Sequence, residues 1–373
     1  MLTLKRFFIA DVTLLIACFA IIWLSIEYPA TWVTKASAMG PYLPIPEALT
    51  SSEAETRPTE PLKENASVVV EKPAKEAFKP RATKRRLSTK VLLPGGPDTL
   101  PYMTFDPQML KAMYEQANYL RRSDVPSKGA SGIGKDEMLQ TVELLQNIQL
   151  LDPNVMLTTF DFYGINTDHR NDRVRMTGYY TPVIKASKVR TDEFSVPMLR
   201  RPDSNVPPAE FIEGGALNGR GLELAWLRSK KELANAQLQG NCLVEFSDGS
   251  RQHFGFGGSV KRSKGKGRYV FFTPVDEQVL GCGFFPITAG YSVAVDPRYI
   301  PIGSTLLAEL PNIDAKGKLQ GYTYRIIFAQ DRGGAILTTG RMDLYCGVGQ
   351  KGLQEARKIN RYGRLWLMLP KEK

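Results

Sequence analysis

The sequence predicts a mostly β protein with a few helices, held behind an N-terminal membrane segment. Three features lead there. From Pro153 onward the chain breaks into short alternating or β-branched runs punctuated by Gly, Asp and Pro, the pattern of strands and turns. Residues 7–26 form a twenty-residue apolar stretch. Between the two lies a long segment rich in Pro, Glu, Lys, Ser and Thr, which has too few apolar side chains to offset the entropy of ordering. At 373 residues, 43% hydrophobic and 23% charged, the composition is that of a globular protein with room for two modest domains.

In chain order, residues 1–6 form a cytoplasmic tip and 7–26 a signal anchor. At 1.5 Å per residue the stretch crosses a bilayer core of about 30 Å. Lys5 and Arg6 ahead of it place everything that follows outside. Leu15-Ile16-Ala17-Cys18 also has the shape of a lipobox, with Cys18 as the lipidation site. The hydrophobic run continues to Leu24, however, where a lipoprotein turns polar after its cysteine, so span length favours the uncleaved anchor. Residues 27–97 are expected to be a disordered Pro-rich tether. Asp106 then reads as the N-cap of a helix whose apolar face carries Met109, Leu110, Met113, Ala117 and Leu120, and Asp136 as the N-cap of one carrying Leu139, Val142 and Leu145. Strands are expected over 174–180, 243–246, 268–272, 292–295, 305–310 and 322–329, with one intervening helix over 221–233. Ser247-Asp248-Gly249-Ser250 is a hairpin signal, and 263–267 is a second loop.

The net charge of +11 points to an anionic partner. No nucleic-acid recognition motif accompanies it, and the basic run at 79–86 has no hydrophobic periodicity, so nucleic acid is not expected. Four cysteines (Cys18, Cys242, Cys282, Cys346) form no C-x-x-C pair, and the two histidines, His169 and His253, stand in no nucleophile-elbow context. No metal or cofactor is expected, and Ser-His or Cys-His chemistry has few residues to draw on. Carboxylates remain.

Three aspartates interrupt or end apolar runs: Asp296 before Pro297, Asp331 before Arg332-Gly333-Gly334, and Asp343 before Leu344-Tyr345. Aspartate is a poor strand residue, so each suggests a strand terminus. For Asp296 and Asp331 the neighbouring Pro or Gly-Gly fits turn capping as well as chemistry. Asp343 has no turn residue after it, and burial among aliphatic and aromatic neighbours raises a carboxyl pKa, as a general acid requires. Tyr179-Tyr180 offer flat faces for sugar rings, Gln239 and Gln330 offer amides for hydroxyl and N-acetyl groups, and Gly333-Gly334 lets backbone approach a ligand.

Six ordered motifs over 177–370 resemble the membrane-bound lytic murein transglycosylase A family. They are Thr177-Gly178-Tyr179-Tyr180-Thr181-Pro182, Gly219-Arg220-Gly221-Leu222-Glu223-Leu224-Ala225-Trp226-Leu227, Gln237-Leu238-Gln239-Gly240, the segment from Ala294 to Ser304 with Asp296-Pro297-Arg298, Ala329-Gln330-Asp331-Arg332-Gly333-Gly334-Ala335-Ile336, and the closing Gly363-Arg364-Leu365-Trp366-Leu367-Met368-Leu369-Pro370. The resemblance implies a double-psi β-barrel built from 98–182 and 273–373, a smaller β domain inserted over 183–272, and a groove for the glycan of peptidoglycan, at the periplasmic face of a cell envelope. It implies Asp343 as the catalytic acid, Asp331 and Asp296 in support, and Thr177 and Gly178 among the substrate-binding residues. Two departures stand out: Gln239-Gly240-Asn241-Cys242 replaces the family's Gln-Gly-Ser-Gly, and Arg332 replaces a small residue, adding a cation at the groove's rim.

Glycoside hydrolysis commonly uses two carboxylates at separations of roughly 5 to 9.5 Å, which Asp331 and Asp343 could supply. The resemblance implies instead that Asp343 serves as both acid and base, with no water added. A barrel that binds glycan without cleaving it is the third reading, and sequence leaves all three open.

Overall fold

A computed structural model describes residues 86–167, 173–276, 278–314 and 317–372. The membrane stretch, Cys18, most of the tether and His169 lie outside them. Among the described residues no helix is long and apolar enough to cross a membrane.

The chain begins with β1 (Leu92–Pro94), then α1 (Pro107–Arg121), α2 (Lys135–Asn147), α3 (Pro153–Thr159), β2 (Phe160–Ile165) and β3 (Val174–Thr181). After Pro182 come β4 (Val183–Ser187), β5 (Val196–Leu199), α4 (Ala209–Glu213), β6 (Glu223–Leu227), α5 (Lys230–Gln239), β7 (Cys242–Phe246), β8 (Arg251–Lys261) and β9 (Arg268–Val275). The last part holds β10 (Ser292–Ala294), β11 (Thr305–Ile313), β12 (Leu319–Asp331), β13 (Arg341–Val348), α6 (Gly349–Lys358), β14 (Asn360–Gly363) and β15 (Leu365–Pro370).

β11, β12, β10, β13 and β3 lie side by side, with β10–β12 and β13–β3 parallel. One bent ribbon closes this sheet into a barrel: β14 pairs with β3 and β15 with β11. The bend is at Gly363, where a Cβ would stand 2.1 Å from the Glu309 carbonyl oxygen, so only glycine passes. Inside pack Met176, Val293, Leu306, Ile327, Met342, Leu344 and Leu367, an apolar core of the kind that supplies most folding free energy. The second sheet, ordered β5-β6-β4-β7-β8-β9, has its own core around Ile184, Leu227, Val244, Phe271 and Phe272. The mostly β fold with few helices is therefore as the sequence predicts, and the nearly closed barrel is the architecture the resemblance implies.

Local expectations fare unevenly. Asp106 does cap α1, accepting from the Gln108 and Met109 amides at 2.9 Å, but Leu110 is 40% exposed and belongs to the solvent side. The N-cap of α2 is Gly134, with the Glu137 side chain reaching back to its amide at 3.0 Å, so Asp136 sits inside the first turn instead. The helix expected over 221–233 is two elements. Residues from Glu223 to Leu227 alternate, bury Ala225 and Leu227, and pair with β4 and β5 as a strand. The helix starts only after Ser229, whose hydroxyl and Glu232 form a capping box. The expected hairpin turn joins β7 to β8, and the expected loop at 263–267 joins β8 to β9.

Candidate active site

Strand alternation decides which way the key residues face. In β13, Met342 and Leu344 enter the barrel core, so Arg341, Asp343 and Tyr345 face the opposite side. In β3, Met176 enters the core, and Thr177 and Tyr179 face out beside them. The register then sets Asp331, Ala294, Asp343 and Thr177 in one row across β12, β10, β13 and β3. Asp343 thus lies within a strand rather than at its end, whereas Asp331 is the last residue of β12.

Asp343 keeps only 18% of its side-chain surface exposed. Its Oδ1 accepts a hydrogen bond from the Thr177 hydroxyl and one at 3.5 Å from Arg341 Nη2. Its Oδ2 accepts none among the described residues. Burial pushes the Asp343 carboxyl above its ordinary range, opposed by the Arg341 charge, the Thr177 and Arg341 hydrogen bonds and the more distant Arg175. The result is a carboxyl fixed through one oxygen and open at the other, with a cation near enough to stabilise its charged form.

Asp331 is bound differently. Its Oδ1 accepts from the Cys282 amide at 3.0 Å and the Arg332 amide at 2.8 Å, and its Oδ2 from the Tyr179 hydroxyl at 2.8 Å. Burial outweighs these three donors and raises its pKa to about 6. The Cys282 amide is delivered by a loop in which Gly281 lies so close to β12 that a Cβ would stand 2.2 Å from the Gln330 carbonyl oxygen. That loop is braced from α1 by Tyr119 stacking on Phe285 at 4.5 Å and by Arg122 Nη1 donating to the Gly283 carbonyl at 2.6 Å. The Tyr179 ring leans on Tyr345 at 5.2 Å, and burial with the Asp331 charge holds its hydroxyl well above the ordinary range, hence protonated.

Asp296 is 3% exposed and turns inward to a local task. It accepts from the Arg298 amide at 3.1 Å, pairs with Arg298 Nη2 at 2.6 Å, and fixes the turn after β10. Gly333 accepts from the Ile336 amide in a tight turn with Gly334 inside it.

Three residues expected to touch substrate are engaged within the protein. Gln330 is fully buried, with its amide nitrogen donating to the Ala112 carbonyl and Gln116 Oε1 and its oxygen accepting from Ser292. It ties the barrel to α1. Gly178 is where α6 crosses β3: a Cβ would stand 2.7 Å from Ala356 Cα. Tyr180 is 9% exposed, its hydroxyl accepting from Asn235 at 3.0 Å and its amide donating to Gln239 Oε1 at 3.2 Å, which docks α5 on the barrel. Gln239 Nε2 has no hydrogen-bond partner among the described residues. The residue missed in the sequence is Arg341; its position two before Asp343 puts both on one strand face, once that segment is read as a strand.

Family models match in the same order. The insert domain specific to MltA matches residues 175–264, and the 3D domain matches 291–369. The membrane-bound lytic murein transglycosylase A of Escherichia coli (strain K12) is 33% identical over 240 residues, covering 52% of this chain and 65% of that protein. Its counterpart in Vibrio cholerae serotype O1 is 27% identical over 242 residues, covering 53% and 66%. The chain thus spans just under two thirds of the length of either relative. The crystal structure of E. coli MltA with bound chitohexaose superposes with a TM-score of 0.63 at 26% identity, over 77% of this chain and 96% of that one. A membrane-bound lytic murein transglycosylase from Agrobacterium tumefaciens shares the fold, with a TM-score of 0.60 at 20% identity over 71% and 93%. Both domain models in sequence, the 33% identical relative and the same barrel beneath them support a place in the membrane-bound lytic murein transglycosylase A family.

Proposed function

We propose that the protein is a lytic transglycosylase that cleaves the β-1,4 bond between N-acetylmuramic acid and N-acetylglucosamine in peptidoglycan, with Asp343 as its single acid and base. The observation that carries the reading is the contrast between the two carboxylates. Both oxygens of Asp331 are taken up by three protein donors, whereas Asp343 has one tethered oxygen and one open one.

In this scheme Asp343 Oδ2, whose protonated form burial favours, gives its proton to the bridging oxygen as the C1–O bond breaks. The carboxylate left behind is stabilised by Arg341 and Thr177. It then takes the proton of the C6 hydroxyl of the same muramyl sugar as that oxygen bonds to C1. Acid and base alternate on one group, no water is consumed, and the product ends in a 1,6-anhydro ring. An internal hydroxyl has the proximity advantage of intramolecular attack. Asp331 and Asp296 hold the strand ends that define the row, and neither transfers a proton. The names of the relatives and the apolar stretch at 7–26 support attachment to a cell-envelope membrane, with span length favouring the inner one.

Digestion of purified sacculi tests the scheme. Asp343→Asn is expected to lose at least about a thousandfold in rate with an unchanged melting temperature, in keeping with the loss of both general acid and general base terms. Asp331→Asn is expected to keep measurable activity. Full activity in Asp343→Asn, or abolition confined to Asp331→Asn, would overturn the assignment.

A further inference from the structure

The hairpin end that joins β8 to β9 in the second sheet is a dense cluster of cations that the reaction scheme leaves unused. Lys261-Arg262-Ser263-Lys264-Gly265-Lys266-Gly267-Arg268 carries five basic side chains in eight residues and no acid. Two glutamates of α4 fix its shape. Glu213 accepts from Arg262 Nη2 at 2.6 Å through both oxygens, and Glu210 accepts from the Ser263 amide at 3.2 Å and from the Ser263 hydroxyl. The Arg262 amide donates to the Gly267 carbonyl at 3.2 Å, and Gly265 and Gly267 take positive φ, the conformation that lets the chain reverse here. A loop clamped at its base keeps its charges in one place.

Lys261, Lys264 and Lys266 on this hairpin end are exposed, and none has a carboxylate partner among the described residues. The nearest acids are committed to Arg262 and Ser263. Between those two glutamates in the chain, Phe211 is 58% exposed while Ala209 and Ile212 of the same helix are buried. An exposed phenyl ring is ordinary on its own; flanked by the residues that clamp a lysine-rich loop, it makes a surface both apolar and cationic. Lysine meets phosphate as a point charge, where the fork of arginine suits a carboxylate. A bilayer of anionic phospholipid offers both halves of the match, a layer of phosphate charge with hydrocarbon just beneath it. A glycan polymer offers charge on hydroxyl-bearing rings and no apolar layer.

We propose that Phe211 with Lys261, Lys264 and Lys266 forms a docking surface for an anionic phospholipid membrane, the phenyl ring entering the interface and the lysines lying on the headgroup phosphates. The inference rests on the proposed attachment to a cell-envelope membrane and goes beyond it. A membrane span limits how far the folded part can stray; a surface contact fixes which face it turns to the bilayer.

Lysine footprinting of the full-length chain tests it. The chain is incorporated into vesicles of phosphatidylcholine alone or of phosphatidylcholine with phosphatidylglycerol, treated with a membrane-impermeant acylating reagent at single-hit dose, and read by mass spectrometry at each lysine. Lys261, Lys264 and Lys266 are expected to react at least about fivefold more slowly on the anionic vesicles, the attraction of about one lysine to such a surface, while Lys351 on α6 reacts alike on both. High salt should restore the rate, as the Debye length contracts to about 3 Å at 1 M. Phe211→Ser, and separately the double variant Lys264→Gln with Lys266→Gln read at Lys261, should each lose most of the protection with an unchanged melting temperature. Lys264→Arg with Lys266→Arg should keep it. Equal reactivity on the two vesicles, or a slowing shared by Lys351, overturns the docking surface. So does protection that peptidoglycan strands give and anionic vesicles do not, which would assign the face to the wall polymer. Failure of the chain to co-float with either vesicle would remove the membrane attachment and the surface with it; co-flotation with unprotected lysines removes the surface alone.

Discussion

Asp343 is poised between two opposed influences, burial that favours its neutral form and Arg341 with Thr177 that favour its charged one. A group that gives a proton and then takes one back, the role proposed for Asp343, needs both. Removing the cation shifts the balance in a known direction: Arg341→Gln raises the Asp343 pKa, so the alkaline limb of the pH–rate profile moves up while the maximal rate falls. Thr177→Val moves the limb the same way by less. A limb that stays still or moves down would show that Arg341 does not act on Asp343. Asp331 makes a separate prediction about stability. Its pKa is raised to about 6, so the folded state binds its proton more tightly than the unfolded chain does, and stability from this group is present at low pH and lost as pH rises from about 4 through 6. The difference between wild-type and Asp331→Asn unfolding free energies, measured by urea titration at pH 4 and pH 7, should change by roughly 2–3 kcal/mol against the wild type at pH 7. Asp343 was legible because an acidic residue without a turn behind it is anomalous in an apolar run. Gln330 was not, since its three partners lie in α1 and at Ser292, and nothing local distinguishes a buried amide from a ligand-binding one.

Elements hold this row in place, and glycine decides one of the contacts. Gly178→Ala would set a methyl 2.7 Å from the Ala356 backbone and lift α6 from β3. The expected cost is about 1–3 kcal/mol, with activity reduced because Thr177 is the neighbouring residue; a wild-type melting temperature in this variant would contradict the packing. Ser229→Ala removes the cap of α5 and should cost about 1 kcal/mol, with little effect on the barrel. The misread helix at 221–233 has a physical origin. Leu, Ala and Glu are strong helix formers, and only pairing with β4 and β5, remote in sequence, makes Glu223–Leu227 a strand. The segments 341–348 and 365–370 are strands for a similar reason, since their partners are far along the chain.

At the scale of the molecule, sequence shows the class and the order of parts but not the closure. The ring depends on one ribbon that changes partner at Gly363 and on parallel pairings that bring residue 343 beside residue 177, contacts that no local pattern encodes. The net charge of +11 suits an anionic polymer, so co-sedimentation of the Asp343→Asn chain with sacculi should fall as salt is raised and the Debye length contracts from about 10 Å at 0.1 M. What separates the single-carboxyl scheme from every hydrolytic one is the fate of water. Digestion of sacculi in ¹⁸O-enriched water, read by mass spectrometry of the new muramyl ends, tests this directly: the account predicts unlabelled 1,6-anhydro ends, and ¹⁸O-labelled reducing ends would contradict it.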